Sequence, residues 1–363
     1  MQKKIYYLDH ASTTKPSFDV RSDLFESLEF DWGNPSSIHR KGFEAKAILL
    51  QCEEKVKEFL GTDEGSIIWT SGGTDANIRI IQAFNSTGAS FLTTPVEHKS
   101  IDQFKRNTIW PDGERFTIEN FHRALSKYTQ LVSMMGVNNE LGLELPVISF
   151  AIWAKAFNKD LLFHTDLTAA APCEELEPYT KVVDALTISA HKLYGPKGVG
   201  CLWVKDKEVA KYIKEFRYYG TPSVHNIVGF ATAIENFNVD LENERYLDAL
   251  GLFLKGLAHS IGGATVLGDP ATHRGHAVCL HFEDIDAVTL VLELSDRGVL
   301  CSHGSACSSK ESTRVLEAYG FSKEVAQSTV RFSFGRLCSS ELDIKEVVNI
   351  IAETIKEIRN AKF

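Results

Sequence analysis

The sequence predicts an α/β protein with a mostly parallel sheet in a large domain and a smaller α+β domain towards the C-terminus. Short apolar runs alternate with helical stretches up to about residue 235, and longer helices with fewer strands follow. The chain has 363 residues, and a domain averages roughly 150 residues. We therefore predict two domains, at 14–234 and at 1–13 together with 235–363.

The larger domain begins with a helical pattern over 43–60, in which apolar residues recur on one stripe. Gly61 follows this pattern, at a position where a helix end favours the left-handed conformation. Short buried runs separated by helices are typical of a parallel sheet covered on both faces. The runs lie at 67–69, 90–92, 131–134, 161–163, 185–188 and 201–204.

The smaller domain shows a different order of elements. A long helical pattern over 241–261 precedes apolar strands at 277–282 and 330–333, and an amphipathic helix follows at 342–360. The first dozen residues are too few to fold alone. We expect them to pack on this domain or across the domain junction.

Composition limits the kinds of partner. The chain has 39 Lys+Arg and 48 Asp+Glu, a net charge of −9, which argues against nucleic acid or an anionic membrane as the main partner. No run approaches the roughly 18 apolar residues of a membrane span. The seven cysteines are widely spaced and form no C-x-x-C pair, which argues against a disulfide framework or a structural zinc site. We therefore expect a cytoplasmic protein.

Four features follow predicted strands, where open α/β sheets bind their ligands. The Gly-rich turn at 70–75 precedes a helix, whose N-terminal N–H groups can hold a phosphate. Asp166 can keep a cofactor ring nitrogen protonated, and His98 can stack on a planar ring. Lys192, in SAHK, can form a Schiff base.

Each of these features also has a simpler interpretation. The turn is then an ordinary helix cap, as is Asp166, while His98 is a structural histidine and Lys192 a surface lysine. Only the combination describes a site for pyridoxal 5′-phosphate (PLP).

Nine short motifs resemble those of the NifS/IscS-type cysteine desulfurases, in the class V aminotransferase group of fold-type I PLP-dependent enzymes. Their order and approximate spacing agree over essentially the whole chain. The motifs are YLDHASTT at 7–14, GNPSSIHRKG at 33–42, TSGGTDAN at 70–77, VEH at 96–98, NNELG at 138–142, FHTD at 163–166, SAHKLYGPKGVG at 189–200, GSACSS at 304–309 and RFSFGR at 331–336.

The resemblance implies a role around PLP for each matching residue. Lys192 would form the Schiff base and move the substrate Cα proton, Asp166 would pair with the ring nitrogen, and His98 would stack on the ring. The resemblance also implies a homodimer, because one threonine is lent to the partner's phosphate site. The implied phosphate residues are Gly73, Thr74, Ser189, His191 and, across the dimer, Thr221.

The resemblance implies the substrate chemistry as well. Arg331 would clamp the carboxylate of L-cysteine, and Asn139 would lie near the substrate or the O3′ side of the ring. Cys307, in GSACSS, would take the substrate sulfur as a persulfide and leave L-alanine. A thiol among Gly and Ser residues is better placed to react than a buried one. An acceptor protein, such as an iron–sulfur scaffold or a thiolation enzyme, would then receive the sulfur.

Two departures from the family pattern keep other functions open. Ala169 stands where the family usually has a glutamine, and the segment before Gly220 is shorter. Selenocysteine lyase or another class V PLP activity is one alternative, and a degenerate homologue that only binds a partner is another. Because Lys192, Asp166 and Cys307 are all present, we favour the cysteine desulfurase.

Overall fold

The structure, a computed structural model, describes residues 4–85, 90–104, 107–216, 220–262, 264–303 and 314–361. Eight of its strands fall at the apolar runs predicted from the sequence, and four short strands were not predicted. They are β1 (Tyr6–Tyr7), β2 (Ser66–Thr70), β3 (Ser90–Thr93), β4 (Asn107–Thr108), β5 (Thr129–Met135), β6 (Leu162–Asp166), β7 (Ala185–Ser189), β8 (Gly200–Val204), β9 (Ala264–Leu267), β10 (Ala277–Phe282), β11 (Val299–Leu300) and β12 (Thr329–Ser333).

Helices separate most of these strands. They are α1 (Phe18–Phe30), α2 (Arg40–Phe59), α3 (Gly73–Asn85), α4 (Lys99–Asp102), α5 (Ile118–Ala124), α6 (Val147–Phe157), α7 (Glu177–Val182), α8 (Lys207–Phe216), α9 (Val224–Glu235), α10 (Val239–Ser260), α11 (Ala287–Asp296), α12 (Arg314–Ala318), α13 (Lys323–Gln327) and α14 (Glu341–Asn360). Among the described helices, none combines the length and hydrophobicity that crossing a bilayer requires.

A seven-stranded sheet in the order β2-β8-β7-β6-β5-β3-β4 forms the centre of the protein. The strands from β7 to β4 pair in parallel, whereas β8 runs antiparallel to both of its neighbours. The prediction of a mostly parallel sheet in an α/β fold is therefore confirmed.

Helices cover both faces of this sheet, which explains why its central strands are almost entirely buried. Every residue of β7 and β8 is buried. One hydrophobic cluster packs residues of α2, α6 and α9 on the sheet, and a second cluster packs α3 and α8. Strands buried on both faces lose the polar alternation of a half-exposed sheet.

A separate hydrophobic cluster surrounds the antiparallel sheet β12-β10-β9. It contains apolar residues of α10, α11 and α14, and also Tyr6 and Leu8 from the start of the chain. β1 pairs in parallel with β11. The N-terminal residues thus join the C-terminal part of the chain, while the domain boundaries at 14 and 234 stay a prediction.

The large sheet positions the candidate site because several of its strands end at one edge. β6 ends at Asp166 and β7 ends at Ser189. A single 3-10 turn, Ala190–Lys192, follows β7. β3 leads to His98, which caps the N-terminus of α4. Chemically active side chains from distant parts of the sequence therefore meet at this edge.

Candidate active site

A cleft of about 700 Å³ opens at this edge of the sheet. Thr221 is exposed and does not line the cleft of its own chain, and Cys307 lies outside the described residues. The predicted site residues that line the cleft are Gly73, Thr74, His98, Asn139, Asp166, Ser189, His191, Lys192 and Arg331.

Lys192 reaches into the cleft from the turn after β7. Its Nζ donates hydrogen bonds to the carbonyl oxygens of Ala11 and of Ser12, the latter at 2.9 Å. Burial, reinforced by the charge of Lys192, lowers the pKa of His191 to about 3 and keeps its imidazole neutral. Tyr194 has a φ of 61°, a left-handed conformation that non-glycine residues seldom adopt. This sharp turn lies two residues after the lysine, and the chain re-enters the sheet at Gly200.

The Gly-rich turn also lines the cleft and has features that suit an anion. α3 starts at Gly73, so its free N–H groups and positive dipole end face this region. The hydroxyls of Ser189 and Thr168 are buried, and neither has a hydrogen-bond partner among the described residues. A Cβ on Gly73 would stand 2.8 Å from Thr168 Oγ1. Unpaired hydroxyls beside a helix N-terminus suit a phosphate group.

Asp166 is 5% exposed and is held from two sides. Its Oδ2 accepts a 2.6 Å hydrogen bond from Asn77 Nδ2, and its Oδ1 accepts one of 2.9 Å from Thr168 N–H. Asn77 also donates to Ser100 Oγ at 2.9 Å. Asn77 was not predicted as a site residue, although its position one helical turn after Gly73 was a usable signal.

His98 is fixed by the start of α4. Its Nδ1 accepts a 3.2 Å hydrogen bond from Ser100 N–H, and burial lowers its pKa. The neighbouring Glu97 is fully buried, and burial raises its pKa to about 8. Glu97 Oε1 accepts hydrogen bonds from Thr94 Oγ1 at 2.6 Å and Met135 N–H at 3.0 Å. Burial therefore favours a neutral imidazole at His98, and the buried carboxyl group next to it in the chain, Glu97, was not among the residues predicted from the sequence.

Arg331 is a buried cation that lines the cleft and is 2% exposed. Its Nη2 donates to Asp9 Oδ1 at 2.8 Å and to Ser12 Oγ at 2.7 Å, and its Nη1 donates to Asn139 O at 2.9 Å. Its Nε is buried without a hydrogen-bond partner in the part of the chain that the structure describes. Asp9 balances the charge, and the remaining donor capacity suits a carboxylate.

The six cysteines within the described residues are free thiols, and none of them lines the cleft. Burial raises the pKa of Cys52 to about 11 and those of Cys279 and Cys338 to about 12. The thiolate is the nucleophilic form of cysteine, and burial disfavours it at these three positions.

Known proteins share both the sequence and the fold. Cysteine desulfurase IscS of Dictyoglomus turgidum is 31% identical over 98% of this chain and 96% of that relative. Cysteine desulfurase IscS of Acinetobacter baumannii (strain AYE) is also 31% identical, over 98% of this chain and 94% of that relative. A solved structure of a NifS-like protein superposes with a TM-score of 0.88 at 26% identity, over 97% of this chain and 99% of its own.

The fold and the cleft define a PLP-dependent enzyme of fold type I. The aminotransferase class-V family model matches residues 6–347. The chain therefore belongs to the class-V aminotransferase family, and within it to the NifS/IscS-type cysteine desulfurases.

Proposed function

We propose that this chain converts L-cysteine to L-alanine with PLP as cofactor and keeps the sulfur as a persulfide on Cys307. The observation that carries the proposal is the shared cleft, in which Lys192, Asp166, His98 and Arg331 surround a phosphate-type turn. A degenerate homologue would be expected to have lost part of this set.

The residues present suit PLP. The N-terminus of α3 and the unpaired hydroxyls of Ser189 and Thr168 would hold its phosphate. Asp166 would face the ring nitrogen, His98 would cover the ring, and Lys192 would bind the cofactor covalently. When bound, PLP supplies an electron sink for the charge that develops at the substrate Cα.

The protein's own groups bind the substrate and move its proton. Arg331 would bind the substrate carboxylate, and its planar donor fork fixes the amino acid in one orientation. Lys192 Nζ would then take the Cα proton. Ala11 and Ser12, whose carbonyls accept its hydrogen bonds, hold the resting Nζ at the cleft wall. The Lys192 amine thus serves as the general base.

Cys307 would accept the sulfur. A bond forms between Cys307 Sγ and the substrate sulfur as the Cβ–S bond breaks, and the electron pair of the broken bond stays on carbon. That carbon takes up a proton and leaves as L-alanine, so no external oxidant or reductant is consumed. Two observations support this assignment: the described cysteines lie outside the cleft, and burial raises their thiol pKa values.

A homodimer would complete the site. Thr221 is exposed and away from its own cleft, which agrees with a role at the partner's phosphate site. The segment from α1 to α2 also leaves large apolar side chains in solvent, a feature of protein interfaces. These side chains are Phe18, Phe25, Trp32, Ile38 and Phe43, each at least 60% exposed.

The sulfur would leave the enzyme by transfer to an acceptor protein, such as an iron–sulfur scaffold or a thiolation enzyme. Transfer of the outer sulfur to an acceptor thiol returns Cys307 to a free thiol, which has to stay reduced to accept the next sulfur. This requirement supports a location in the reducing cytoplasm.

The test combines a spectrum with a product assay. The purified protein is expected to show the visible absorption of bound PLP and to form alanine and persulfide from L-cysteine. Lys192→Ala is expected to lose alanine formation. Cys307→Ala is expected to keep the PLP absorption and lose desulfuration. A wild-type protein that binds PLP but forms no alanine would refute the proposal, and turnover of L-selenocysteine by Cys307→Ala would favour a selenocysteine lyase.

A further inference from the structure

Arg314 connects the C-terminal part of the chain to the cleft. It is the first residue of α12 and follows Cys307 by 314 − 307 = 7 positions. Its Nη1 donates a hydrogen bond to Pro95 O, and its Nη2 donates one of 2.6 Å to Glu97 O. Nη1 also lies 3.3 Å from Asp102 Oδ1. The guanidinium of Arg314 thus links parts of the chain that are 219 and 217 positions apart in sequence.

These contacts hold the turn that carries His98. Asn138 Nδ2 donates a 3.1 Å hydrogen bond to Val96 O. The guanidinium of Arg314 donates to the backbone carbonyls of the residues before and after Val96. Three successive backbone carbonyls before His98 are therefore fixed by side-chain donors, and Arg314 supplies two of these donors. The planar fork of an arginine suits two neighbouring acceptors better than a lysine does.

The described residues on the other side of the 304–313 segment are also tied to the cleft. Ser302 N–H donates to Arg331 O at 3.2 Å, and Arg331 N–H donates to Ser302 O at 2.7 Å. Ser302 Oγ donates to Asp9 Oδ1 at 3.0 Å. The chain thus enters this segment bonded to the carboxylate-binding side of the cleft and leaves it, at Arg314, bonded to the His98 side.

We propose that Arg314 is a positioning residue, which fastens α12 to the turn that carries His98. It keeps the imidazole against the cofactor ring and fixes the point from which the chain bearing Cys307 departs. This inference rests on the proposed function. It adds a residue that positions catalytic groups although it lies outside the nine family motifs and does not line the cleft.

The experiment compares Arg314→Gln and Arg314→Lys with a matched control, Arg297→Gln. Arg297 is similarly exposed, 28% against 30%, and its guanidinium is also engaged, with Glu357, but it does not line the cleft. Arg314→Gln is expected to lower kcat for alanine formation by about tenfold to a hundredfold, because small displacements of a catalytic group are costly. KM for L-cysteine is expected to stay within about twofold, because the carboxylate contact is intact.

A spectroscopic readout separates positioning from general structural damage. The visible circular dichroism of bound PLP is expected to change in Arg314→Gln, to recover partly in Arg314→Lys and to match the wild type in Arg297→Gln. Wild-type kcat and dichroism in Arg314→Gln would overturn the inference. If that variant does not fold, Arg314→Lys decides by the same readouts. The dichroism needs no turnover, so it tests the inference even if the wild type forms no alanine.

Discussion

Replacing Asn77 by alanine tests whether Asp166 depends on its buried neighbour. Asn77 is 1% exposed and donates to Asp166 Oδ2 at 2.6 Å and to Ser100 Oγ at 2.9 Å. A hydrogen bond to a charged group contributes about 1.5–3 kcal/mol and a neutral one about 0.5–1.5 kcal/mol. Asn77→Ala is therefore expected to lower the free energy of unfolding by about 2–4 kcal/mol.

Asn77→Asp is a sharper version of the same change. The side chain keeps its size but places a carboxylate beside that of Asp166. Two like charges about 4 Å apart repel by about 4 kcal/mol at an effective dielectric constant of about 20. We therefore expect Asn77→Asp to be less stable than Asn77→Ala and to release PLP faster.

The assay is urea unfolding, with PLP retention followed by visible absorption during gel filtration. Asn120→Ala is the control, since Asn120 is half-buried on α5 and its side chain donates one hydrogen bond within the described residues, to Trp110 O at 3.0 Å. Its loss is expected to cost about 1 kcal/mol or less. The reasoning would be refuted if Asn77→Ala and Asn120→Ala lowered the free energy of unfolding equally and Asn77→Asp lowered it no more than they do.

Three other changes test separate parts of the molecule. Gly73→Ala places a Cβ 2.8 Å from Thr168 Oγ1 and is expected to weaken PLP retention, whereas Gly251→Ala, with open space at its Cβ, is expected to retain PLP as the wild type does. Burial raises the pKa of Glu97 from 4.5 to about 8, so between these values only the folded chain holds the proton and its stability falls as pH rises. In urea unfolding, the stability of Glu97→Gln relative to the wild type is therefore expected to rise between pH 5 and pH 8. A difference in the free energy of unfolding that does not change with pH would contradict this. Phe25→Glu, at a side chain 76% exposed, is expected to give monomers in analytical ultracentrifugation, and an intact dimer would remove α1 from the interface.

Local pattern was enough to predict most regular elements. The helical stripe over 43–60 corresponds to α2, the run at 161–163 to β6, and the pattern at 342–360 to α14. α9 was not predicted, and its consecutive buried residues from Gly229 to Ile234 leave no polar face over that part of the helix. The direction of β8 was also out of reach, because a fully buried strand looks the same in either orientation.

The nine cleft residues could be named because their motifs are read along the chain. The contacts that hold these residues in place could not be predicted from the sequence. Asn77 reaches Asp166 across 89 positions and Asp9 reaches Arg331 across 322. Such pairs depend on how the sheet and the N-terminal residues pack together in the fold. The spacing of residues along the chain does not predict this packing. The burial that raises the pKa of Glu97 is likewise a property of the packed fold.

The N-terminal stretch has a consequence for how the enzyme is made. Ala11 and Ser12 hold Lys192, and Asp9 holds Arg331. During synthesis the first residues leave the ribosome long before Lys192 and Arg331 have been added to the chain. These contacts can therefore form only after most of the chain has been translated. Contacts of such long sequence separation form late in folding. The cofactor pocket can therefore be completed only near the end of translation, and a chain that stops before residue 331 cannot complete it.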